Sequence, residues 1–293
     1  MQIDVLGILD VRVNGVSVAP TAPKPRQVLA LLALHADQVV PVSALIDELW
    51  AGRPPRSART TLQTYVLQLR DLITLALEKG TPAAEPASPP RRSAKDVLVT
   101  SPGGYMLVSG GGTSDVREFE QLAGLGYRAA DAGDFQGASR LLREALDLWT
   151  GSAFADVQTG AQLEMEAQRL EESRLCALDQ RIEADLRLGR HRELLSELTV
   201  LTRRYRAHEN LHAQFMLALH RSGRRGEALD VYHRLRSTLV RDLGLEPSAR
   251  LRRLQQSILM AAPETPLAAE QQRPATVPVP SARAGSGRPS HVN

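Results

Sequence analysis

The sequence has little cysteine: Cys176 is the only one, which excludes a disulfide bond within the chain. A chain without internal disulfides is typical of a reducing compartment, so we expect a cytoplasmic protein. The residues around Cys176 predict a helix. Within that helix, a small buried side chain is a simpler interpretation of Cys176 than a catalytic nucleophile.

Long apolar stretches are also missing. The longest run, from Val28 to Leu34, is far too short to span a bilayer. The first ten residues, MQIDVLGILD, carry acids where a secretory signal needs a basic region. We therefore expect neither a signal peptide nor a membrane partner.

Signatures of enzyme chemistry are scarce. The chain contains no G-x-x-x-x-G-K-[ST] phosphate loop, and no Ser/His/Asp or Cys/His constellation follows from residue spacing. The stretch from His208 to His212 spells H-E-x-x-H, a zinc protease motif, but His208 falls in a predicted turn and no third ligand stands at a known spacing. We expect no enzyme, no cofactor and no metal site, with a zinc hydrolase as a remote alternative.

The composition permits two soluble domains that bind nucleic acid. The 293 residues suffice for two cores, and 43% hydrophobic with 24% charged residues is ordinary for a soluble protein. The net charge of +3 and the isoelectric point near 9.3 permit nucleic acid as a partner without requiring it. Arg53, Arg56 and Arg59 cluster without an intervening acid, just ahead of a predicted helix.

The stretch from Arg56 to Ile73 predicts a helix with two different faces. Leu62, Val66, Leu69 and Ile73 recur at the spacing of one buried stripe. Hydroxyls and amides predominate on the opposite side, where a solvating face would favour Glu and Lys. Gln and Arg can read purine edges, and Thr offers a hydroxyl and a methyl group, so this face suits DNA. An ordinary amphipathic core helix is the simpler alternative. The outward face comprises Thr60, Thr64, Leu67, Gln68 and Asp71, flanked by Thr61, Gln63 and Arg70.

The flanking segments predict a sheet before this helix and a hairpin after it. Asn14-Gly15 lies between alternating valines, the pattern of a hairpin with a type I′ turn. One helix is predicted from Pro25, and a second over Ala44 to Trp50 with Ser43 as its N-cap. The sequence Ser101-Pro102-Gly103-Gly104 predicts the turn of the later hairpin, between strands at 97–100 and 105–108. A sheet, three helices and a hairpin make an α+β winged helix-turn-helix, whose third helix lies in the major groove.

The second half predicts an all-α, tetratricopeptide-like domain. Gly189 and Gly223 are 34 residues apart, the period of a repeat built from two antiparallel helices. Gly133 begins a third copy, which an extra segment around GSAFADVQTG displaces. Each glycine is expected to end the first helix of a pair in a left-handed conformation. The stacked pairs could present a groove to another protein, or serve only as a spacer or dimerisation surface.

These patterns predict three regions. We assign residues 1–108 to the winged domain with a flexible loop at 80–95, residues 109–260 to the helical domain, and 261–293 to a disordered tail rich in Pro, Ala, Ser and Gly. Arginines in the tail could add weak, non-specific DNA affinity. They are Arg273, Arg283 and Arg288.

Both halves resemble one family. The segments LGILDVRVNG, KPRQVLALLALHADQVV, LIDELW, PPRSARTTLQTYVLQLRDLI and VLVTSPGGYML resemble the OmpR-type DNA-binding domain of the Streptomyces antibiotic regulatory proteins. From REFEQLAGL to RRLQQSIL the chain is similar to the bacterial transcriptional activator domain that follows it in these regulators. The resemblance implies that residues equivalent to Thr60, Thr61, Thr64, Gln68 and Arg70 face the DNA. From the basic cluster ahead of the helix we add Arg56 and Arg59 as predicted DNA-binding residues.

The resemblance also implies a mode of action. We expect a pathway-specific activator of an antibiotic gene cluster, bound as a homodimer to direct repeats in double-stranded promoter DNA near the −35 element. Its expected protein partner is the RNA polymerase holoenzyme, through the sigma or alpha subunit. The alternative is a tetratricopeptide-type scaffold whose winged domain binds protein.

One residue departs from the family pattern. OmpR-like wings usually carry an arginine, which enters the minor groove, at the position of Ser101. Ser101 cannot make that contact, so wing contacts are expected to be weaker or to come from Arg91, Arg92 or Lys95.

Overall fold

A computed structural model describes residues 1–79 and 92–260. Most of the predicted loop at 80–95, including Arg91, lies outside the described residues. So does the predicted tail at 261–293 with its three arginines.

Within residues 1–79 and 92–114, the N-terminal half combines two small sheets with four helices. One sheet has the order β3-β2-β1-β7 and the other the order β4-β6-β5. The strands are β1 (Gln2–Asp4), β2 (Asp10–Val13), β3 (Val16–Ser17), β4 (Val40–Pro41), β5 (Leu98–Ser101), β6 (Gly104–Leu107) and β7 (Thr113–Ser114). The helices are α1 (Pro23–Leu34), α2 (Val42–Trp50), α3 (Ala58–Lys79) and α4 (Ala94–Val97).

Both predicted hairpins form. Asn14 and Gly15 connect β2 to β3 with φ angles of 52° and 80°, as a type I′ turn requires. Ser101 pairs with Gly104 across the second hairpin, whose turn needs the positive φ of Gly103, 83°. This β5–β6 hairpin is the wing.

Local boundaries differ from the prediction at two places. Val97, predicted to begin a strand, ends the short helix α4, because Ser93 and Asp96 form a reciprocal cap at its start. The predicted flexible loop therefore ends before residue 95. Ser43 is not an N-cap: Pro41 holds that position, and α2 begins one residue ahead of Ser43.

The amphipathic character of the third helix is confirmed. Leu62, Val66, Leu69 and Ile73 are at most 2% exposed and pack into the core of the N-terminal half. The helix α3 extends six residues beyond Ile73 to Lys79.

The second half is helical, and the helices of the first and third predicted pairs pack side by side, whereas the second helix of the middle pair packs mainly against the helix that follows it. Gly133, Gly189 and Gly223 adopt φ angles of 78°, 80° and 77° and turn the chain between the two helices of each pair. The helices are α5 (Asp115–Asp131), α6 (Phe135–Asp147), α7 (Ala161–Arg187), α8 (Leu195–Arg204), α9 (Glu209–Arg221), α10 (Arg225–Leu243) and α11 (Ala249–Met260).

The extra segment of the first repeat lies against the N-terminal sheet. The main-chain N–H of Thr150 donates to the carbonyl of Leu6 at 2.9 Å, and Phe154 donates to Val5 at 2.9 Å. Gly7 lies so close that a Cβ atom there would come within 1.9 Å of the Thr150 hydroxyl. One hydrophobic core runs from Ile3 through this segment to Ala177, so it crosses the boundary predicted at residue 108.

Cys176 is exposed, contrary to the buried position expected for it. Ala177 occupies the buried position of this turn of α7, with no exposed surface. Because successive helical residues diverge by about 100°, Cys176 faces outward.

No helix among residues 1–79 and 92–260 is long and apolar enough to cross a membrane.

Candidate nucleic-acid interface

The outer face of α3 presents a row of uncharged polar side chains. Thr60, Thr64 and Gln68 follow one another at intervals of four residues, and all three are exposed. Gln63 and Leu67 extend this row on one side; Leu67 is 59% exposed, which is unusual for a leucine on a packed helix. A surface of amides, hydroxyls and one aliphatic group matches the base edges and thymine methyl groups of the major groove.

Thr60 and Thr64 are linked within the helix. The Thr64 hydroxyl donates to the main-chain carbonyl of Thr60 at 3.1 Å, which holds the Thr64 side chain in one rotamer and leaves its oxygen free to accept. Thr61 is half-buried at the flank of the row. The DNA contacts assigned to these residues stay a prediction.

Arg70 joins α3 to the wing. Its Nε and Nη2 atoms donate to the main-chain carbonyl of Leu98 at 3.1 and 2.8 Å, and Nη2 also donates to the Thr100 hydroxyl at 2.7 Å. Leu98 and Thr100 both belong to β5. The guanidinium therefore holds the hairpin against the helix. From the sequence, only a contact with DNA was predicted for Arg70. The residue spacing gave no signal for this role, because the partners lie 28 and 30 residues away.

Positive charge surrounds the start of α3. Arg53, Arg56 and Arg59 are exposed, and none forms a salt bridge within the described part of the chain. Guanidinium groups without acidic partners are available to phosphates. Arg92 and Lys95 are also exposed at the base of the wing, where Arg92 approaches the carbonyl of Val108 at 3.4 Å.

The wing is held in place at its turn. The N–H of Val42 donates to the carbonyl of Gly103 at 2.9 Å, so the turn is tied to the first residue of α2. Gly104 packs so closely on β4 that a Cβ atom would lie 2.2 Å from the carbonyl of Val40. Ser101, the residue that departs from the family pattern, is half-buried, while Pro102 at the tip is exposed.

A buried glutamate that the sequence analysis overlooked connects the winged half to the helical half. Glu48 of α2 is 3% exposed, and its carboxylate accepts hydrogen bonds from the first N–H groups of α7. From the sequence alone, no role was assigned to Glu48. No local pattern pointed to its partner, which is 112 residues away in the sequence.

The H-E-x-x-H stretch serves as a helix start. His208 is the N-cap of α9, and its Nδ1 accepts from the N–H of Leu211 at 3.3 Å. His212 is 6% exposed with its Nδ1 at 3.0 Å from the carbonyl of His208, and burial lowers the pKa of His212. Within residues 1–79 and 92–260, no group of three or more His, Cys, Asp or Glu side chains is placed to hold a metal ion.

Two family models match the chain in tandem. The model described as "Transcriptional regulatory protein, C terminal" matches residues 18–80, and "Bacterial transcriptional activator domain" matches residues 114–259. The first covers α1 to α3 and the second covers α5 to α11.

Several known proteins are similar to most of this chain. The chain is 56% identical to "Regulatory protein DnrI" of Streptomyces peucetius over 90% of this chain and 93% of that protein. It is 37% identical to "Regulatory protein AfsR" of Streptomyces coelicolor over 90% of this chain but only 24% of that longer protein. A solved structure of Mycobacterium tuberculosis EmbR, in complex with a low affinity phosphopeptide, superposes with a TM-score of 0.76 at 33% identity, covering 88% of this chain and 64% of that one.

Proposed function

The chain belongs to the Streptomyces antibiotic regulatory protein family, and on this basis we propose that it activates transcription of an antibiotic gene cluster by binding promoter DNA. The observation that carries the proposal is the tandem match of a DNA-binding and an activator domain, together with the exposed polar row on α3. Both matched families describe transcription regulators. The comparisons therefore give no support to the alternative of a protein-binding scaffold.

In this proposal, the row of exposed polar side chains on α3 recognises the DNA sequence. Thr60, Thr64 and Gln68 contact base edges, because they are exposed on one line and carry groups that bases can bond. Thr61 contributes from the flank.

In this proposal, arginines near α3 provide much of the affinity for DNA. Arg56 and Arg59 neutralise phosphates at the entrance to the helix, where no described acid competes for them. Arg70 sets the angle of the wing through Thr100, and its Nη1, which bonds to no described residue, can approach the backbone.

Assembly on the promoter forms the second part of the proposal. Two protomers bind direct repeats near the −35 element, and the helical domain contacts the sigma or alpha subunit of RNA polymerase. The support is structural: hydrogen bonds between Glu48 of α2 and the start of α7 join the two halves, so a protomer bound to DNA holds its helical domain in a defined direction.

Affinity for promoter fragments tests the DNA contact. Gln68→Ala is expected to weaken binding by about 1 to 3 kcal/mol, the usual worth of a bidentate base contact. Gln168→Ala, at an exposed glutamine of α7, is the matched control and should bind as the wild type does. Equal affinity of the two variants, or association that does not weaken with added salt, would contradict the proposal.

Transcription with purified polymerase tests the second part. The full chain should raise transcript yield from a promoter that carries the repeats, and a mobility shift should show two protomers on one fragment. A single bound protomer that activates fully would contradict the homodimer. DNA binding without any gain in transcript would contradict recruitment.

A further inference from the structure

A cavity of about 500 Å³ opens on the helical domain, and none of its lining residues belongs to the winged domain. Helices α5, α7, α9 and α11 form its walls. This volume falls within the range of about 300 to 1,000 Å³ that small-molecule sites occupy. The residues that matter here are Tyr127, Asp131, Cys176, Asp179, Gln214 and Arg250.

The cavity has an excess of negative charge. Asp131, Asp179 and Glu183 line it, against the single guanidinium of Arg250. Glu183 is already paired with Arg187 at 2.9 Å, whereas Asp131 forms no salt bridge within the described residues. The site therefore favours a cation.

The charge of the Asp179 carboxylate is only partly compensated: the Asn210 side chain donates a hydrogen bond to it and Arg250 attracts it, but its Oδ1 atom has no hydrogen-bond partner among the described residues. The nearest histidine atom, Nε2 of His208, is 3.7 Å from its carboxylate, which is longer than a hydrogen bond. Burial raises the pKa of Asp179, because the ionised carboxylate loses hydration. A cation beside Asp179 would restore the lost stabilisation.

A buried amide oxygen at the cavity has no partner. Gln214 is 4% exposed, and its Nε2 donates to the main-chain carbonyl of Asp179 at 2.9 Å. That hydrogen bond identifies the nitrogen and the oxygen of the amide, since the flipped orientation would place Oε1 against the carbonyl oxygen of Asp179. The Oε1 atom accepts no hydrogen bond from any described residue. An unsatisfied buried acceptor costs about 1 to 3 kcal/mol, which a donor on a bound molecule would recover.

We propose that this cavity binds a small molecule that carries a protonated amine beside several hydroxyl groups. The ammonium lies between Asp131 and Asp179, and a donor of the ligand reaches Oε1 of Gln214. The phenol of Tyr127 and the side-chain amides of Gln180 and Asn210 also line the cavity and can form hydrogen bonds with the hydroxyl groups. An acceptor as deeply buried as Gln214 suits an occupant that enters the cavity more than a protein surface that lies across it.

Cys176 makes occupancy measurable in the full-length protein. It is the only cysteine, it is exposed, and it lines the cavity, so its rate of alkylation by iodoacetamide reports access. The probes are glucamine and sorbitol, which share a hydroxylated carbon chain and differ in one terminal ammonium. At equal ionic strength, millimolar glucamine should slow the alkylation of Cys176 at least threefold, and sorbitol should not.

Variants assign the protection to the cavity. Asp179→Asn should abolish protection by glucamine, whereas Asp230→Asn, at an exposed carboxylate on α10 outside the cavity, should keep it. Gln214→Met removes both the unsatisfied acceptor and the hydrogen bond to the Asp179 carbonyl, and it should reduce protection by glucamine in a variant that remains folded, as its Tm will show. A merely structural Gln214 would not change protection.

Three results would overturn the proposal. One is equal alkylation rates with glucamine and sorbitol; another is full protection of the Asp179→Asn variant by glucamine. The third is protection by a lysine-containing peptide but not by glucamine, which would assign the cavity to a protein partner.

Discussion

The carboxylate of Glu48 accepts a hydrogen bond from the main-chain N–H of Gln162 at 2.8 Å, so that a side chain of α2 caps the start of α7. Gly160 and Leu163 donate to the same carboxylate at 2.5 and 3.3 Å. A negative charge is favourable there, because the first N–H groups of a helix lack partners and carry partial positive charge. The winged and helical halves are thus joined by a buried, charged contact.

Replacing this carboxylate should destabilise the whole chain. Glu48→Gln keeps the size of the side chain but sets an amide NH₂ against N–H donors, so we expect a loss of roughly 1.5 to 3 kcal/mol. Urea unfolding measures it. Asp47→Asn changes the exposed neighbouring acid and serves as control, with a change within about 0.5 kcal/mol. Equal unfolding midpoints for the two variants would mean that the Glu48 contact contributes nothing.

Asp115 should make stability depend on pH. Its carboxylate accepts from the N–H groups of Val5 and Leu6 at 2.6 and 2.7 Å, and burial raises its pKa to about 6. The pKa in the unfolded chain is about 3.9, so the folded state holds more protons between these values. The contribution of Asp115 to the free energy of unfolding should therefore fall by roughly 1 to 3 kcal/mol as the pH rises from about 4 to about 6.

Urea titrations across that pH range check the sign. Asp115→Asn should remove this contribution, so that the difference in unfolding free energy between wild type and variant changes with pH, whereas Asp230→Asn should follow the wild type. A free energy of unfolding that rises through this interval in the wild type, but not in Asp115→Asn, would show a lowered pKa instead.

Substitution of two threonines of α3 distinguishes the loss of a DNA contact from a change in helix stability. Both Thr64 and Thr74 are exposed and donate a hydroxyl to the carbonyl four residues earlier, Thr60 and Arg70 respectively. Only Thr64 lies within the proposed reading row. Thr64→Ala should weaken promoter binding by about 1 kcal/mol or more, and Thr74→Ala should not change it. Similar losses in both would point to helix stability as the cause.

Variants of Arg70 and Thr100 distinguish two roles of Arg70, support of the wing and direct contact with a phosphate. If Arg70 acts through the wing, Thr100→Val should weaken promoter binding in the same direction as Arg70→Ala, since the Thr100 hydroxyl accepts one of the hydrogen bonds between Arg70 and the wing. If Arg70 contacts a phosphate directly, Arg70→Ala alone should lower the salt dependence of log K by about 0.9. Mobility shifts at several salt concentrations give both quantities.

Replacement of two glycines near one turn by alanine should change the stability of the protein in opposite directions. Gly223 has a φ of 77°, where a side chain costs about 1 to 2 kcal/mol, so Gly223→Ala should lower Tm. Gly226 lies in α10 with open space around its Cα, and Gly226→Ala should stabilise the helix by about 0.5 to 1 kcal/mol. A gain in Tm for Gly223→Ala would show that the left-handed turn does not constrain this repeat.

Local chemistry made much of the molecule predictable from its sequence. The turn at Asn14-Gly15, the buried stripe from Leu62 to Ile73 and the repeat glycines each depend on neighbours within a few residues or on a regular period. Such features follow from backbone sterics and from the partition of apolar side chains away from water, which act on any chain with that pattern. The same local rules placed Thr60, Thr64 and Gln68 on one exposed face.

The tertiary structure decided what depends on residues distant in sequence. Nothing near Arg70 predicts that its guanidinium bonds to Leu98 and Thr100, and nothing near Glu48 predicts that it caps α7. The expectation that Cys176 is buried was wrong, since a helical pattern alone does not show which face of the helix the rest of the protein covers. Hydrogen bonds and burial between remote segments depend on how the elements pack, and packing is set by the whole chain at once.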